Sequence, residues 1–426
     1  MRPWIIFLIF LCAPPRIFSQ SQGPSSVPAE PKGAASPTAL AQEAMDRNPE
    51  IQAAKRAVQA KRARVPQAGA WPDPKLSVSY SGNVLPPFTV MAGDPSSARQ
   101  IMAEQEIPYP GKTRLRTGIA SRDADAETLA YEAVWRRIGA EVKQAYFDLW
   151  FTDQSLATLR KDRELLEKFE KIAEIRYSVG KAVQQDVLKA QVELTRLIER
   201  QTVLEQARQT FQAQLNSLRN LPVETPIDTR GEVSPSNLSS SLDELQAAAQ
   251  ANYPVLKQQQ TMVEENRLLV DLAKREVRPD FSVGYAYMQR DRLPDMYGIT
   301  LSTSLPIFRH RKQAMAIAEA AANLESSRQM EANALTMLRY RVKQEFLDVQ
   351  ASEQLLKLYS QGIVPQSSLA LESSISGYET GAVDFLNVLS NFTTVLDYEL
   401  SYKQQIANHE KALARLEELT ALNLVQ

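Results

Sequence analysis

The sequence predicts a mainly α-helical protein with a small β part, built twice on one plan, and three observations carry that reading. Proline is absent from residues 111–221, from 307–364 and after Pro365, so very long helices can run there. Two short stretches alternate apolar and polar residues, KLSVSYSGN at 75–83 and DFSVGYAYM at 280–288. Residues 39–80 and 244–285 align at one fixed offset of 205, which pairs Pro49 with Pro254, Pro74 with Pro279, Ser77 with Ser282, Val78 with Val283 and Tyr80 with Tyr285. Such self-similarity is the mark of a duplication.

Taken from its start, the chain opens MRPWIIFLIFLCA, with Arg2 before an apolar run from Trp4 to Ala13. That run is too short to span a bilayer and has the layout of a secretory signal, so residues 1–19 are expected to be removed on export. The single cysteine, Cys12, lies inside it. Leu11 stands where a lipoprotein signal needs a small residue, which disfavours lipidation at Cys12 without excluding it, and once the signal is removed the mature chain has no cysteine for a disulfide or a thiol nucleophile. Residues 20–37, which include PSSVPAEPKGAASP at 24–37, read as a flexible leader.

The first repeat, 38–221, is expected to run short helix, strand pair, long helical hairpin. From Thr113 to Arg176 good helix formers dominate, and Val142, Leu149 and Leu156, with Ala145, Leu159, Leu166 and Ala173, fall at heptad-like spacing. At 1.5 Å per residue this helix reaches ~95 Å, longer than a globular domain needs. It breaks at YSVGKAVQQDVLKAQ, 177–191, where Gly180 suits the left-handed position after a helix end, and a partner helix continues to Leu218. Residues 222–241 read as a linker, and Ser241 with Glu244 forms a capping box that starts the second repeat, 242–426. There VKQEFLD at 342–348 answers VKQAYFD at 142–148, and YETGAVDFLNVL at 378–389 answers YSVGKAVQQDVL at 177–188.

The alternating stretches each give a strand with one apolar face: Leu76, Val78 and Tyr80 in the first, Phe281, Val283, Tyr285 and Tyr287 in the second. A return strand at 297–306 places Tyr297, Ile299 and Leu301 on one face, and the return at 99–107 alternates less cleanly. Two hairpins packed on a soluble core would alternate in the same way. Against that, the attached helices are too long to cover a compact sheet, and the opposite faces are mostly small and hydroxylic, which suits a water-filled lumen with the apolar faces toward lipid. No later segment approaches 18 consecutive apolar residues, so entry into a membrane would be as a barrel. Four strands cannot close one, and an open edge in lipid leaves backbone groups unpaired. Three chains of four strands give twelve, an even number in the usual range, and a trimer follows.

Further residues recur in a telling order: NPE at 48–50 and NYP at 252–254, IPYPGK at 107–112 and LPIF at 305–308, and a Tyr-x-x-Gly turn in each repeat. With these the chain resembles, over about residues 38–423, the TolC family of outer-membrane efflux proteins, and its PYPGK form is similar to cation-efflux members. The resemblance implies a homotrimer with a twelve-stranded barrel in the outer-membrane lipid of a Gram-negative bacterium and an α-helical barrel across the periplasm. The function implied is a passive exit duct of a tripartite efflux or type I secretion-like system, driven by an inner-membrane pump through a periplasmic adaptor. Tyr177, Gly180, Tyr378 and Gly381 would then sit at the adaptor-docking tips. Asp186 and Asp384 are candidate gate residues that would favour cations, with solvated turn residues or helix caps as the competing reading. The basic run Arg309, His310, Arg311, Lys312 reads as ordinary interfacial charge.

Other chemistry finds no support. Lys plus Arg number 49 against 50 for Asp plus Glu, so no net field points to nucleic acid. Two histidines, no HExxH and no Cys/His cluster argue against a zinc site, and no two glycines stand two apart as phosphate-cradling loops require. No enzyme and no cofactor is expected. An exported coiled-coil structural protein, or a periplasmic adaptor with one hairpin between β-rich halves, is the alternative, and duplication of the whole plan argues against the adaptor.

Overall fold

The computed structural model describes residues 36–82, 89–229 and 231–425. The expected signal, and all but the last two residues of the leader, lie outside the described residues. The first half of the chain forms α1 (Pro37–Arg47), α2 (Pro49–Gly69), β1 (Lys75–Ser81), β2 (Ala98–Ile107), α3 (Lys112–Ser178) and α4 (Gln184–Leu218). The second half repeats the order with α5 (Leu242–Asn252), α6 (Pro254–Arg275), β3 (Phe281–Gln289), β4 (Met296–Thr303), α7 (Gln313–Leu358), a π turn (Tyr359–Ile363), α8 (Val364–Thr380) and α9 (Phe385–Thr420). No helix among the described residues is long and apolar enough to cross a membrane.

Local chemistry fixes the repeated boundaries. The Asn48 side chain accepts from the backbone of Glu50 and Ile51 and caps α2, while its Nδ2 donates to the Leu218 carbonyl at the end of α4, 2.9 Å away. In the second half Asn252 Nδ2 lies 3.5 Å from the Thr420 carbonyl at the end of α9. Each repeat thus ties its short helical pair to the close of its own long hairpin. Ser241 and Glu244 form the expected capping box.

α3 has 67 residues, ~100 Å of helix, and every apolar position read at heptad spacing is buried. Toward the sheet the helices pack side by side as α2, α3, α6, α7; away from it the order is α4, α3, α9, α8. Two cores hold this wall. One, around the middle, joins Leu40, Ile51, Val142, Leu149, Leu215, Leu245, Leu338 and Leu413. The other, nearer the hairpin ends, joins Leu166, Phe169, Leu197, Tyr378, Phe385 and Phe392.

Three details add to or differ from the sequence reading. Pro365 does not end a helix, because the π turn before it re-spaces the backbone and the helix resumes; Pro66 likewise lies inside α2, near its end. The strands β1 and β4 stop short of the predicted limits, at Ser81 and Thr303. The segment 222–241 lacks regular structure but is strapped across the middle core: Trp150 Nε1 donates to the Gly231 carbonyl at 2.9 Å, and Ser236 is held by Glu410 and by His409 Nε2, 2.7 Å from its carbonyl.

Candidate functional site: a two-faced sheet and two hairpin tips

The four strands form one antiparallel sheet in the order β1-β2-β3-β4. Its register carries rows of paired residues straight across: Leu76, Ala103, Tyr285, Ile299 in one row and Val78, Ile101, Tyr287, Tyr297 in the next. Tyr80, Phe281, Val283 and Leu301 lie on the same face. All ten residues singled out from alternation are therefore brought together on one face, and eight of them are exposed, with Val78 at 76%, Ile299 at 81% and Leu301 at 72%, while Tyr80 and Tyr287 are half-buried. Tyr287 and Tyr297 stand 5.4 Å apart between ring centres near the hairpin end of β3 and β4, while Trp71 lies exposed just before β1 at the helical end. Aromatic residues at both ends of an apolar band are a feature of membrane barrels.

The opposite face has rows Ser77, Met102, Ala286, Gly298 and Lys75, Glu104, Gly284, Thr300, and a hydrogen bond of 2.6 Å links Ser282 and Ser302. β1 and β4 each leave one edge without a neighbouring strand among the described residues. Arg99, Gln105, Gln289 and Thr303 lie at the ends of the same face, and a sheet with one largely apolar exposed face and two open edges is incomplete as it stands in a single chain.

A salt-bridge hub joins sheet to helices where β2 enters α3. Lys112 is 1% exposed, and its Nζ reaches Glu276 at 2.9 Å and Asp280 at 3.0 Å. Arg116 also reaches Glu276, at 2.8 Å, and the Tyr109 backbone N–H donates to Asp280 at 2.6 Å. Burial pushes the Asp280 carboxyl up, but the Tyr109 hydrogen bond and the Lys112 ammonium outweigh it and hold the group below its ordinary value. The PYPGK stretch is thus explained as a strand exit in which Gly111 takes φ +92° and Lys112 turns inward. Sequence reasoning missed this hub, since nothing local pairs Lys112 with residues more than 160 positions away.

At the other extreme of the wall the two hairpin turns share one geometry. Gly180 and Gly381 take φ of +73° and +80°. In the first turn the Lys181 N–H returns to the Arg176 carbonyl and the Gly180 N–H to that of Tyr177; in the second, Ala382 returns to Gly377 and Gly381 to Tyr378. This is the Schellman pattern, and it explains why Tyr-x-x-Gly appears twice. Gly377 is needed for a second reason, because a Cβ there would fall 2.4 Å from Val383 Cγ2.

Between the tips the structure gathers Arg176, Tyr378, Asp186 and Asp384. The Arg176 guanidinium donates to the Tyr378 carbonyl and lies 4.4 Å from the centre of its ring. Asp186 is buried in the first turn of α4, so it is not the solvated turn residue that the sequence allowed; Asp384 is exposed and precedes α9. Burial first, then the Asp384 carboxylate, push the Asp186 carboxyl up, against a hydrogen bond from the Val183 backbone and the charges of Arg176 and Lys189. Arg176 was not singled out from sequence, and only its contact across the repeats reveals it. No group of three or more His, Cys, Asp or Glu side chains among the described residues is placed to hold a metal ion.

Comparison with known proteins agrees with this geometry. Residues 40–221 match the model of the outer membrane efflux protein family. The chain is 23% identical over 392 residues, 89% of each chain, to the cobalt-zinc-cadmium resistance protein CzcC of Cupriavidus metallidurans. Its fold matches that of CusC, with a TM-score of 0.78 at 15% identity over 90% of this chain and 91% of that one. It also matches the outer membrane protein VceC of Vibrio cholerae, with a TM-score of 0.77 at 16% identity over 90% and 96%. Residues 40–221 thus carry the match to the outer membrane efflux protein family, and the chain as a whole folds along nine-tenths of its length like these channels.

Proposed function

We propose that three copies close into one conduit, with β4 of each beside β1 of the next and α7 and α8 beside the next copy's α2 and α4. The observation that carries this reading is the single sheet with an apolar face and two unpaired edges, which lipid does not tolerate. Head-to-tail pairing of unlike edges closes into a ring, and three times four strands gives a barrel of the usual size. The helical wall offers matching edges: Leu188, Val192, Ile198 and Val203 are exposed on α4, and Met337, Tyr340, Leu347 and Leu369 on α7 and α8. On this assignment the ten apolar sheet residues face lipid and the serine-rich face lines the lumen.

The hairpin tips, with Tyr177, Gly180, Tyr378 and Gly381, dock a periplasmic adaptor that couples the duct to an inner-membrane pump. Asp186 and Asp384 form the gate, held shut by the tie between Arg176 and Tyr378 and loosened by repulsion between the two carboxylates. Likeness to a cobalt-zinc-cadmium resistance protein favours divalent transition-metal cations as cargo, and carboxylates at a narrow entrance suit them. Residues 1–19 act as the export signal, 20–37 as a leader, and 222–241 joins the repeats 38–221 and 242–426, a division supported by the repeated order of elements.

The test is the native mass of the protein extracted by mild detergent from isolated outer membranes. Three chain masses are expected; a single chain, or recovery only from the soluble periplasm, would sink the shared barrel.

A further inference from the structure

Just past β4 the chain presents Leu305, Ile307 and Phe308, which are 70%, 80% and 75% exposed. They are as open as the apolar face of the sheet. Arg309, His310, Arg311 and Lys312 follow directly and are exposed too. None of these four makes a side-chain hydrogen bond or ion pair among the described residues. The backbone is nevertheless ordered into turns, with the Arg311 and Lys312 N–H groups both returning to the Phe308 carbonyl at 3.0 Å.

Local folding explains neither half of this segment. The cations stand at the positive end of α7, a helix of 46 residues, where they oppose the helix dipole. The apolar trio covers no core. The matched exit of the first repeat is built in the opposite way, its Lys112 buried between two carboxylates. Position supplies the explanation. β4 runs from its hairpin end toward the periplasmic helices, so a segment directly after it lies at the periplasmic border of the membrane, on the conduit reading above.

We infer that residues 305–312 form a clasp for phospholipids of the inner leaflet of the outer membrane. Leu305, Ile307 and Phe308 enter the acyl region, and Arg309, Arg311 and Lys312 meet the headgroup phosphates. An anion placed there cancels the unneutralised charge and turns the unfavourable helix-end placement into a favourable one. The clasp also lies beside the open edge of β4, so it anchors lipid at the seam between copies.

The test uses the full protein extracted from outer membranes, titrated with phosphatidylglycerol in detergent and read by native mass spectrometry. The unaltered protein is expected to retain lipid, and the variant carrying Arg309→Gln, Arg311→Gln and Lys312→Gln to bind it ~100-fold more weakly. Equal binding by the two would overturn the clasp. So would a variant that falls apart into single chains while each still binds lipid as before, because the run would then hold the neighbouring copy. Binding to the unaltered protein must also weaken as salt is raised; insensitivity to salt, or equal competition by inorganic phosphate, would overturn the inference even if the variant did not assemble. A soluble monomer would sink the conduit reading itself, whereas a membrane-borne trimer without this lipid preference would sink only the clasp.

Discussion

Tyr177 and Tyr378 occupy the same place in two copies of one turn, three residues before a glycine of positive φ, yet the first is 47% exposed and the second 8%. Tyr378 packs on Phe385, 5.4 Å between ring centres, and receives Arg176 from the other repeat. Tyr177 has no such neighbours because α4, which follows it, lies at the edge of the wall. The strand exits diverge likewise: Lys112 is buried in a hub, whereas Arg309, Arg311 and Lys312 stand open. What the repeats share, the asparagine ties and the glycine turns, builds the scaffold. What they do not share marks where a wall edge, the membrane border or the proposed gate imposes its own chemistry.

The sharpest way to break that comparison is at the strand exits. Lys112→Met leaves Asp280 and Glu276 without their buried cation and is expected to cost about 3 kcal/mol, the lower end of the range for breaking a buried pair because both carboxylates are partly exposed. Lys312→Met should change stability by less than about 0.5 kcal/mol. Denaturation of the detergent-solubilised protein measures both, and equal losses would mean that the hub is not what joins sheet to helices.

The two faces of the sheet offer the next test. Val283→Arg or Leu301→Arg is expected to destabilise the assembled barrel by about 2–4 kcal/mol if the site lies near mid-membrane. Ser302→Arg, on the opposite face and next to Leu301, should assemble normally and alter conductance instead. Normal insertion of all three variants would show that the apolar face meets protein and not lipid.

At the tips, Tyr378→Ala removes a buried ring together with its contact to Arg176, a loss of about 2 kcal/mol, below the full-core value since the ring sits at the end of the wall. Tyr177→Ala is expected to leave the tip's hydrogen-exchange protection unchanged. If the roles were reversed, the tie between the repeats would not run through Arg176.

Much of this was legible in the sequence because it is local or periodic. Heptad spacing from Val142 to Ala173 found the buried stripe of α3, alternation found ten residues that share one sheet face, and glycines found both turns. The π turn before Pro365 was not legible, and it absorbs what proline alone would break. Lys112 with Asp280, and Arg176 with Tyr378, could not be found in this way. Each pair is joined across the two repeats, and such partners are set by how the copies pack and not by spacing along either one.

The smallest expected effect concerns the proposed gate. Burial and the Asp384 carboxylate raise the Asp186 carboxyl above its ordinary value in the packed tip, and opening the tip would restore that value. The packed tip therefore holds a proton more tightly than the open one, and its stability is greatest below the ordinary carboxylate range. It falls as pH rises through the raised value, where Asp186 ionises opposite Asp384. Acid on the periplasmic side should close the channel and neutral pH should ease it, read as single-channel conductance in planar bilayers. Asp186→Asn should abolish that slope and lower conductance at neutral pH, while Asp384→Asn should weaken it. Arg176 pulls the other way, since it favours the ionised carboxylate. If Asp186→Asn instead opens the channel at every pH, the attraction of the Arg176 charge for the Asp186 carboxylate outweighs the repulsion, and the proposed gate is a latch of opposite charges.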